Sequence, residues 1–376
     1  MSAWELGQAC FSPPAALVQP AEVSVSVKGR DIIVIGASAG GLDALEQLVA
    51  GLPADIPASL FIVHHLSPLM TGEVLIARMG KHDHFEPKLA TDRERFRPGR
   101  IYVAPPDRHL LIKEDHMLVT RGARENRYRP AVDPLFRSAA VAHGPRVIGV
   151  VLTGMLDDGT AGLVAIQKCG GVTVVQDPAE AEYPAMPQSA LDNLQVDHCV
   201  ELRAMGELLD RLSREPAGKK KPVPADVQAE AEIAERVLSE AAELESLGEP
   251  VPYTCPDCGG VLWQMEPVGD GRFRCHTGHT FNAPTLLAGQ TAQIEETLWT
   301  SLRMFEERKN LLRHMSKTPG AGVSASAERI REAQVHIDRI RAILHAPALT
   351  EPTSTRSGPD ARREADRAKL EGRGAE

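Results

Sequence analysis

The chain reads as an α/β protein. The reading is a doubly wound, mostly parallel, three-layer domain, followed by a small zinc-ribbon-like module and α-helices. Three observations predict this. Between about residues 31 and 205, near-continuous apolar runs alternate with helical patterns, the signature of a parallel sheet covered on both faces. A cluster of Cys and His with metal-ligand spacing follows. Beyond it lie two long segments with helical periodicity.

The strands are expected at "DIIVIG", "SLFIVHH", "GRIYVAP", "RVIGVVLTG" and "GGVTVVQD". "GLDALEQLVAGL" and "GTAGLVAIQKCG" read as crossover helices, and "HLLIKEDHMLVT" as a hairpin. The expected division is a flexible extension over 1–28 and the α/β domain over 29–213. A linker follows over 214–225, then a helix over 226–249, the zinc-binding module over 250–283, a helical hairpin over 284–346 and a disordered tail over 347–376. In the second hairpin helix, Ile330, Ile337, Ile340 and Leu344 form an apolar seam.

Composition narrows the class. Of 376 residues, 43% are hydrophobic and 25% charged, as in ordinary globular proteins. The formal net charge of -9 argues against broad nucleic-acid binding. No apolar run reaches the roughly 18 residues of a membrane span, and no signal peptide is expected. Six cysteines, three of them crowded into one segment, suit a reducing cytoplasm with one metal site better than a disulfide framework.

Gly36-Ala37-Ser38-Ala39-Gly40 fits the G-x-S-x-G elbow, in which a serine hydroxyl stands exposed on a sharp strand-to-helix turn. A strand, a glycine-rich turn and a helix also open many nucleotide-binding domains, so this motif alone leaves a nucleophile and a structural turn both open. A nucleophile needs a base and an orienter. "SLFIVHH" ends a strand with His64 and His65, and "RVIGVVLTGMLDDGTAGL" ends another with Asp157 and Asp158. One of these aspartates is expected to cap the helix that follows. The order Ser38, His65, Asp158 differs from the Ser, Asp/Glu, His order of α/β-hydrolases.

Six blocks extend this reading: "IGASAGG", the "HH" pair, "VAPPDRHLL", "RPAVDPLFRSAA", "LTGMLDDGTAGL" and "YPAMPQSAL". In order and spacing they resemble the catalytic domain of chemotaxis protein-glutamate methylesterases, over roughly residues 30–205. The resemblance implies a Ser-His-Asp serine hydrolase that demethylates γ-glutamyl methyl esters of chemoreceptor signalling helices. It also implies deamidation of receptor glutamines. Ser38 would be the nucleophile, His65 the base and Asp158 its orienter. Ala39 and Met155 would lie at the oxyanion site, and catalysis would need no cofactor. Its partners would be methylated chemoreceptor cytoplasmic helices, a methyltransferase and other chemosensory proteins, in the cytoplasm, with neither membrane insertion nor nucleic acid. Two departures stand out. Ala39 replaces a common Thr, and about 30 residues before the first strand leave no room for the receiver domain that many members carry. A second reading is therefore a scaffold that binds receptor or signalling partners without turnover. A third is a general carboxylesterase.

In "CPDCGG…RCHTGH", Cys255 and Cys258 form a tight knuckle, and Cys275 with His279 supplies a second pair. Zinc takes four tetrahedral S/N ligands, and these four close a structural site. A redox Cys-x-x-Cys is the alternative. Phe273 between Arg272 and Arg274 raises a phosphate-binding reading, which the acidic neighbourhood disfavours.

Overall fold

The computed structural model describes residues 29–65, 71–81, 85–236, 244–265, 271–316 and 323–346. The expected N-terminal extension and C-terminal tail lie outside the described residues.

Seven strands form one sheet in which every pair is parallel. They are β1 (Ile32–Ala37), β2 (Ser59–His64), β3 (Lys88–Leu89), β4 (Ile101–Val103), β7 (Val147–Val151), β8 (Val172–Gln176) and β9 (His198–Val200). Their order is β3-β4-β2-β1-β7-β8-β9. The chain moves outward from β1 through β2 to β4, then returns to β1's other side at β7. Open parallel sheets bind ligands at such a switch point, outside the strands' C-terminal ends.

Side chains of β1 alternate between two cores, which explains its unbroken apolar run. Ile33 and Ile35 face one layer, and Ile32 and Val34 the other. The first layer receives α1 (Gly41–Ala50), α2 (Glu73–Met79) and α6 (Leu202–Arg214). The second receives α3 (Val132–His143), α4 (Thr160–Lys168) and α5 (Ala185–Asn193). Each fully buried Ile or Leu here contributes about 1.5–3 kcal/mol. The hairpin β5 (His109–Ile112) with β6 (Met117–Thr120) packs on the second core. The strands, the two crossover helices and the hairpin expected from sequence are all present. Periodicity did not single out α2, α3, α5 or α6.

Helix α7 (Ala225–Arg236) follows. A helix running to residue 249 is not what forms, because Gly248 and Glu249 open the strand β10 (Gly248–Thr254). Their backbones pair with β11 (Val261–Met265), which is anchored by buried Leu262, Trp263 and Met265. With β12 (Arg272–Cys275) and β13 (Thr280–Asn282), a four-stranded antiparallel sheet results.

Helix α8 (Ala283–Met315) starts at an Asn282/Thr285 capping box with a proline in its first turn. It pairs with α9 (Val323–Leu344). On α9 the buried positions are Ala333, Ile337 and Leu344, with Ile330 and Ile340 half-buried beside them. No helix among the described residues is long and apolar enough to cross a membrane.

Candidate active site and metal centre

The three central strands each deliver one polar side chain to the same edge of the sheet. Ser38 follows β1, His65 follows β2, and Asp158 lies beyond β7. The His65 Nδ1 lies 3.0 Å from Ser38 Oγ, and its Nε2 lies 2.7 Å from Asp158 Oδ2. Donation from Nε2–H to the carboxylate leaves Nδ1 as acceptor for the serine hydroxyl, the tautomer a general base requires. The Asp158 side chain is fully buried. Hydrogen bonds hold its carboxyl below the ordinary carboxylate range against the opposing effect of burial. His65 comes first among these donors, and the Val132 amide and Asn126 follow. The acceptor opposite His65 is therefore charged at neutral pH.

His64 turns elsewhere. Its ring packs where a Gly41 Cβ would stand. Burial, then the neighbouring His65, pushes it down to about 4, so it is neutral. The serine sits in a tight frame. Its amide donates to Thr153 O at 3.0 Å, and its carbonyl accepts from the Gly41 amide at 2.8 Å. A Cβ on Gly154 would lie 2.8 Å from Ser38 Cβ and 2.0 Å from Met186 Sδ, so only glycine fits there. Among the described residues the Ala39 amide has no hydrogen-bond acceptor. The Met155 side chain is exposed.

Several contributors were not foreseen from sequence. Tyr128 stacks on the His65 ring with centroids 3.7 Å apart and planes within 8°. Asn126 Nδ2 donates to Asp158 Oδ1 and to Asp133 Oδ2, both at 2.9 Å. Asp133 rather than Asp157 or Asp158 caps α4. Its Oδ1 accepts from the Gly159 and Gly162 amides at 3.1 and 2.7 Å, while α4's own N-cap, Gly159, offers no side chain. The expected cap thus comes from α3, which frees Asp158 for His65. Burial, then the charge of Asp158, raises the Asp133 carboxyl to about 7. The signal for these residues lies in loop contacts between distant segments, which no short sequence period carries.

In the second sheet, Cys255, Cys258, Cys275 and His279 bring one ligand atom each within 4.8 Å of one another. Cys255 Sγ to His279 Nδ1 measures 3.7 Å, Cys258 Sγ to Cys275 Sγ 3.7 Å, and Cys275 Sγ to His279 Nδ1 3.5 Å. A tetrahedron built on metal–sulfur bonds of about 2.3 Å has edges of about 3.7 Å, so the four atoms fit one ion. The neighbouring Cys255 sulfur, then His279, lowers the Cys275 thiol, while Cys255 moves up. Asp257 lies 3.8 Å from His279 Nε2. Arg272 and Arg274, flanking Phe273, face inward and pair with carboxylates, which removes them as phosphate ligands.

This sheet is bound to the catalytic layers by buried charge. Arg272 grips Glu230 of α7 with two hydrogen bonds, at 2.8 and 3.1 Å. Arg274 contacts Glu230 at 3.1 Å and Glu125 at 3.2 Å. Arg137 of α3 closes the network against the same two carboxylates.

A protein-family comparison matches the description "CheB methylesterase" over residues 33–209. A Leptospira interrogans protein, provisionally named a protein-glutamate methylesterase/protein-glutamine glutaminase, is 38% identical over 185 residues. That alignment covers 49% of this chain and 95% of the relative. The chain belongs to the CheB methylesterase family. An Anaeromyxobacter dehalogenans protein-glutamate methylesterase/protein-glutamine glutaminase is 37% identical over 213 residues, 56% of this chain and 58% of its own length. The crystal structure of the Thermotoga maritima CheB methylesterase catalytic domain is 32% identical, with a TM-score of 0.47, covering 48% of this chain and 98% of that one. The family match ends before α7, the Cys/His sheet and the long helices.

Proposed function

We propose that this CheB-family chain is a Ser-His-Asp esterase that hydrolyses γ-glutamyl methyl esters on chemoreceptor signalling helices and deamidates receptor glutamines. The observation that carries the reading is the hydrogen-bonded relay from Ser38 through His65 to the charged Asp158 at the sheet's switch point. His65 takes the Ser38 proton as Oγ attacks the ester carbonyl. In this reading the Ala39 amide, just before α1, meets the developing oxyanion, with Met155 as the second residue assigned to that site. His65 then protonates departing methanol, and water attacks the acyl-enzyme by the reverse route, releasing the glutamate carboxylate. The glutaminase reaction differs only in its leaving group, ammonia. No step uses a metal.

The metal we assign to the Cys3His cluster is Zn²⁺. Three thiols and one imidazole at tetrahedral spacing suit it, and four protein ligands leave no open position for catalysis. The ion would be structural.

The test is methanol release from a methyl-esterified receptor cytoplasmic fragment. Wild type releases methanol, and Ser38→Ala lowers the rate by about a thousandfold or more. Binding of the fragment with no release by wild type would overturn the esterase in favour of a scaffold. Equal activity on small esters and on the receptor would make it a general carboxylesterase.

A further inference from the structure

The Cys3His sheet reaches the catalytic acid. Residues 125–128 form a tight turn in which Glu125 and Tyr128 exchange backbone hydrogen bonds at 2.8 and 3.1 Å. The two central residues, Asn126 and Arg127, have φ of 50° and 70°. Side chains other than glycine rarely adopt such values, and they persist where surrounding contacts enforce them. Here the contacts come from β13. The Asn126 amide donates to Thr280 O at 3.0 Å and to Thr280 Oγ1 at 3.1 Å, and the Thr280 amide donates to Arg124 O at 3.3 Å. Thr280 follows the ligand His279 directly in sequence. On the other side of the turn, Asn126 Nδ2 holds Asp158, and Tyr128 lies flat on His65. Arg274, next to the ligand Cys275, pairs with Glu125 at the start of the turn.

We propose that the Cys3His module is a brace for the catalytic triad: through Thr280 and Asn126 it holds Asp158 in line with His65, so that turnover depends on metal loading. Thr280 and Asn126 are positioning residues, since neither touches the reacting atoms. The physical reason is that the turn has no apolar core of its own. Its conformation is set by buried polar contacts, and those that hold the Asn126 backbone and share Glu125 with α3 have their partners on β13 and β12, beside two of the four ligands. Loss of the ion frees both strands' ends and releases the aspartate from its Asn126 donor. The esterase thereby becomes responsive to chelation or thiol oxidation of a site outside the catalytic pocket.

The proposal rests on the esterase reading, and two readouts keep them apart: kcat and KM on the methyl-esterified receptor fragment, and the rate at which a fluorophosphonate labels Ser38. The full chain is assayed zinc-loaded, chelator-stripped with metal content checked by elemental analysis, and reloaded with zinc. Stripping is expected to lower kcat and the labelling rate by about a hundredfold with KM within about twofold, and reloading to restore both. In the zinc-loaded state, Thr280→Val is expected to lower kcat about tenfold, and Thr280→Ser, which keeps the hydroxyl, to recover most of the loss. If the stripped chain unfolds by far-ultraviolet circular dichroism, the zinc-loaded Val and Ser pair decides. The brace is overturned if stripped, folded protein keeps its kcat, if Thr280→Val matches wild type, or if only KM changes. Ser38 labelling without methanol release sinks the receptor-esterase reading, while the labelling rates still judge the brace. Zinc-loaded wild type that neither labels nor releases methanol overturns both.

Discussion

Tyr128 lies flat against His65 at 3.7 Å, and nothing in its own segment announces that role. The ring excludes water from one face of the imidazole and fixes the plane in which its two nitrogens meet Ser38 and Asp158. An aromatic stack of this kind is worth about 1 kcal/mol beyond the area it buries. Tyr128→Ala is therefore expected to lower kcat about fivefold, while Tyr128→Phe, which keeps the ring, recovers most of it. Steady-state kinetics on the methyl-esterified fragment checks this, and equal losses in both variants would shift the role from ring to hydroxyl. At the same scale, two neighbouring histidines separate by environment alone. His64 is half-buried against Gly41 and held neutral, whereas His65 has a carboxylate and a hydroxyl in reach. Sequence placed both at the strand end, and only the pleat, which sends successive side chains to opposite faces, decides between them.

Between elements, the decisive join is ionic. Arg137 on α3, Glu230 on α7, Arg272 and Arg274 on β12, and Glu125 in the turn are all buried. Each arginine finds two carboxylate contacts or a two-pronged one, so the charges are desolvated but paired. Removing one partner from such a cluster costs about 3–5 kcal/mol, because the groups left behind stay buried. Arg274→Met is expected to lower the unfolding free energy by about that amount in urea titrations. A change below about 1 kcal/mol would show that Arg272 and Arg137 neutralise the two glutamates without it. The α8–α9 pair relies instead on a narrow apolar seam of Ala333, Ile337 and Leu344, reinforced by Lys309 with Gln334 and Arg341 with Glu306.

For the whole molecule, these buried groups set how stability follows pH. Burial is the largest cause pushing His64 and His143 down to about 4, and it lowers His109 as well. Each is neutral in the fold but protonated below about 6.5 in the unfolded chain. The unfolded state then binds more protons, so this stability is complete above pH 6.5 and is lost as pH falls towards 4. Glu230 and Glu125, depressed by their arginines against the effect of burial, extend the loss below their ordinary value near 4.5. Asp133 acts oppositely. With its folded value raised to about 7, its contribution is lost as pH rises from about 4 to 7. Asp157, also raised by burial, acts in the same direction, and over pH 6.5 to 4 the three histidines outnumber these two aspartates. Midpoints of thermal unfolding should therefore fall steadily from pH 6.5 to pH 4. A midpoint that rises over that range would mean the two aspartates dominate.

Much of this protein was determined by sequence alone. Apolar runs of five or six residues specify the parallel strands because both faces of that sheet are buried. The small residues around Ser38 specify its turn, and the ligand spacing of Cys255, Cys258, Cys275 and His279 specifies their meeting, since knuckle geometry is local. Ser38, His65 and Asp158 were legible as strand-end residues because a doubly wound sheet brings consecutive strand ends to one crevice. Tertiary structure alone decided the rest. Asp133, not its neighbours in the "DDG" block, caps α4, because α3 crosses that helix's first turn. Asn126 and Thr280 meet across 154 residues of sequence. Their contact depends on how two sheets dock through buried arginines, and neither periodicity nor composition encodes a docking geometry.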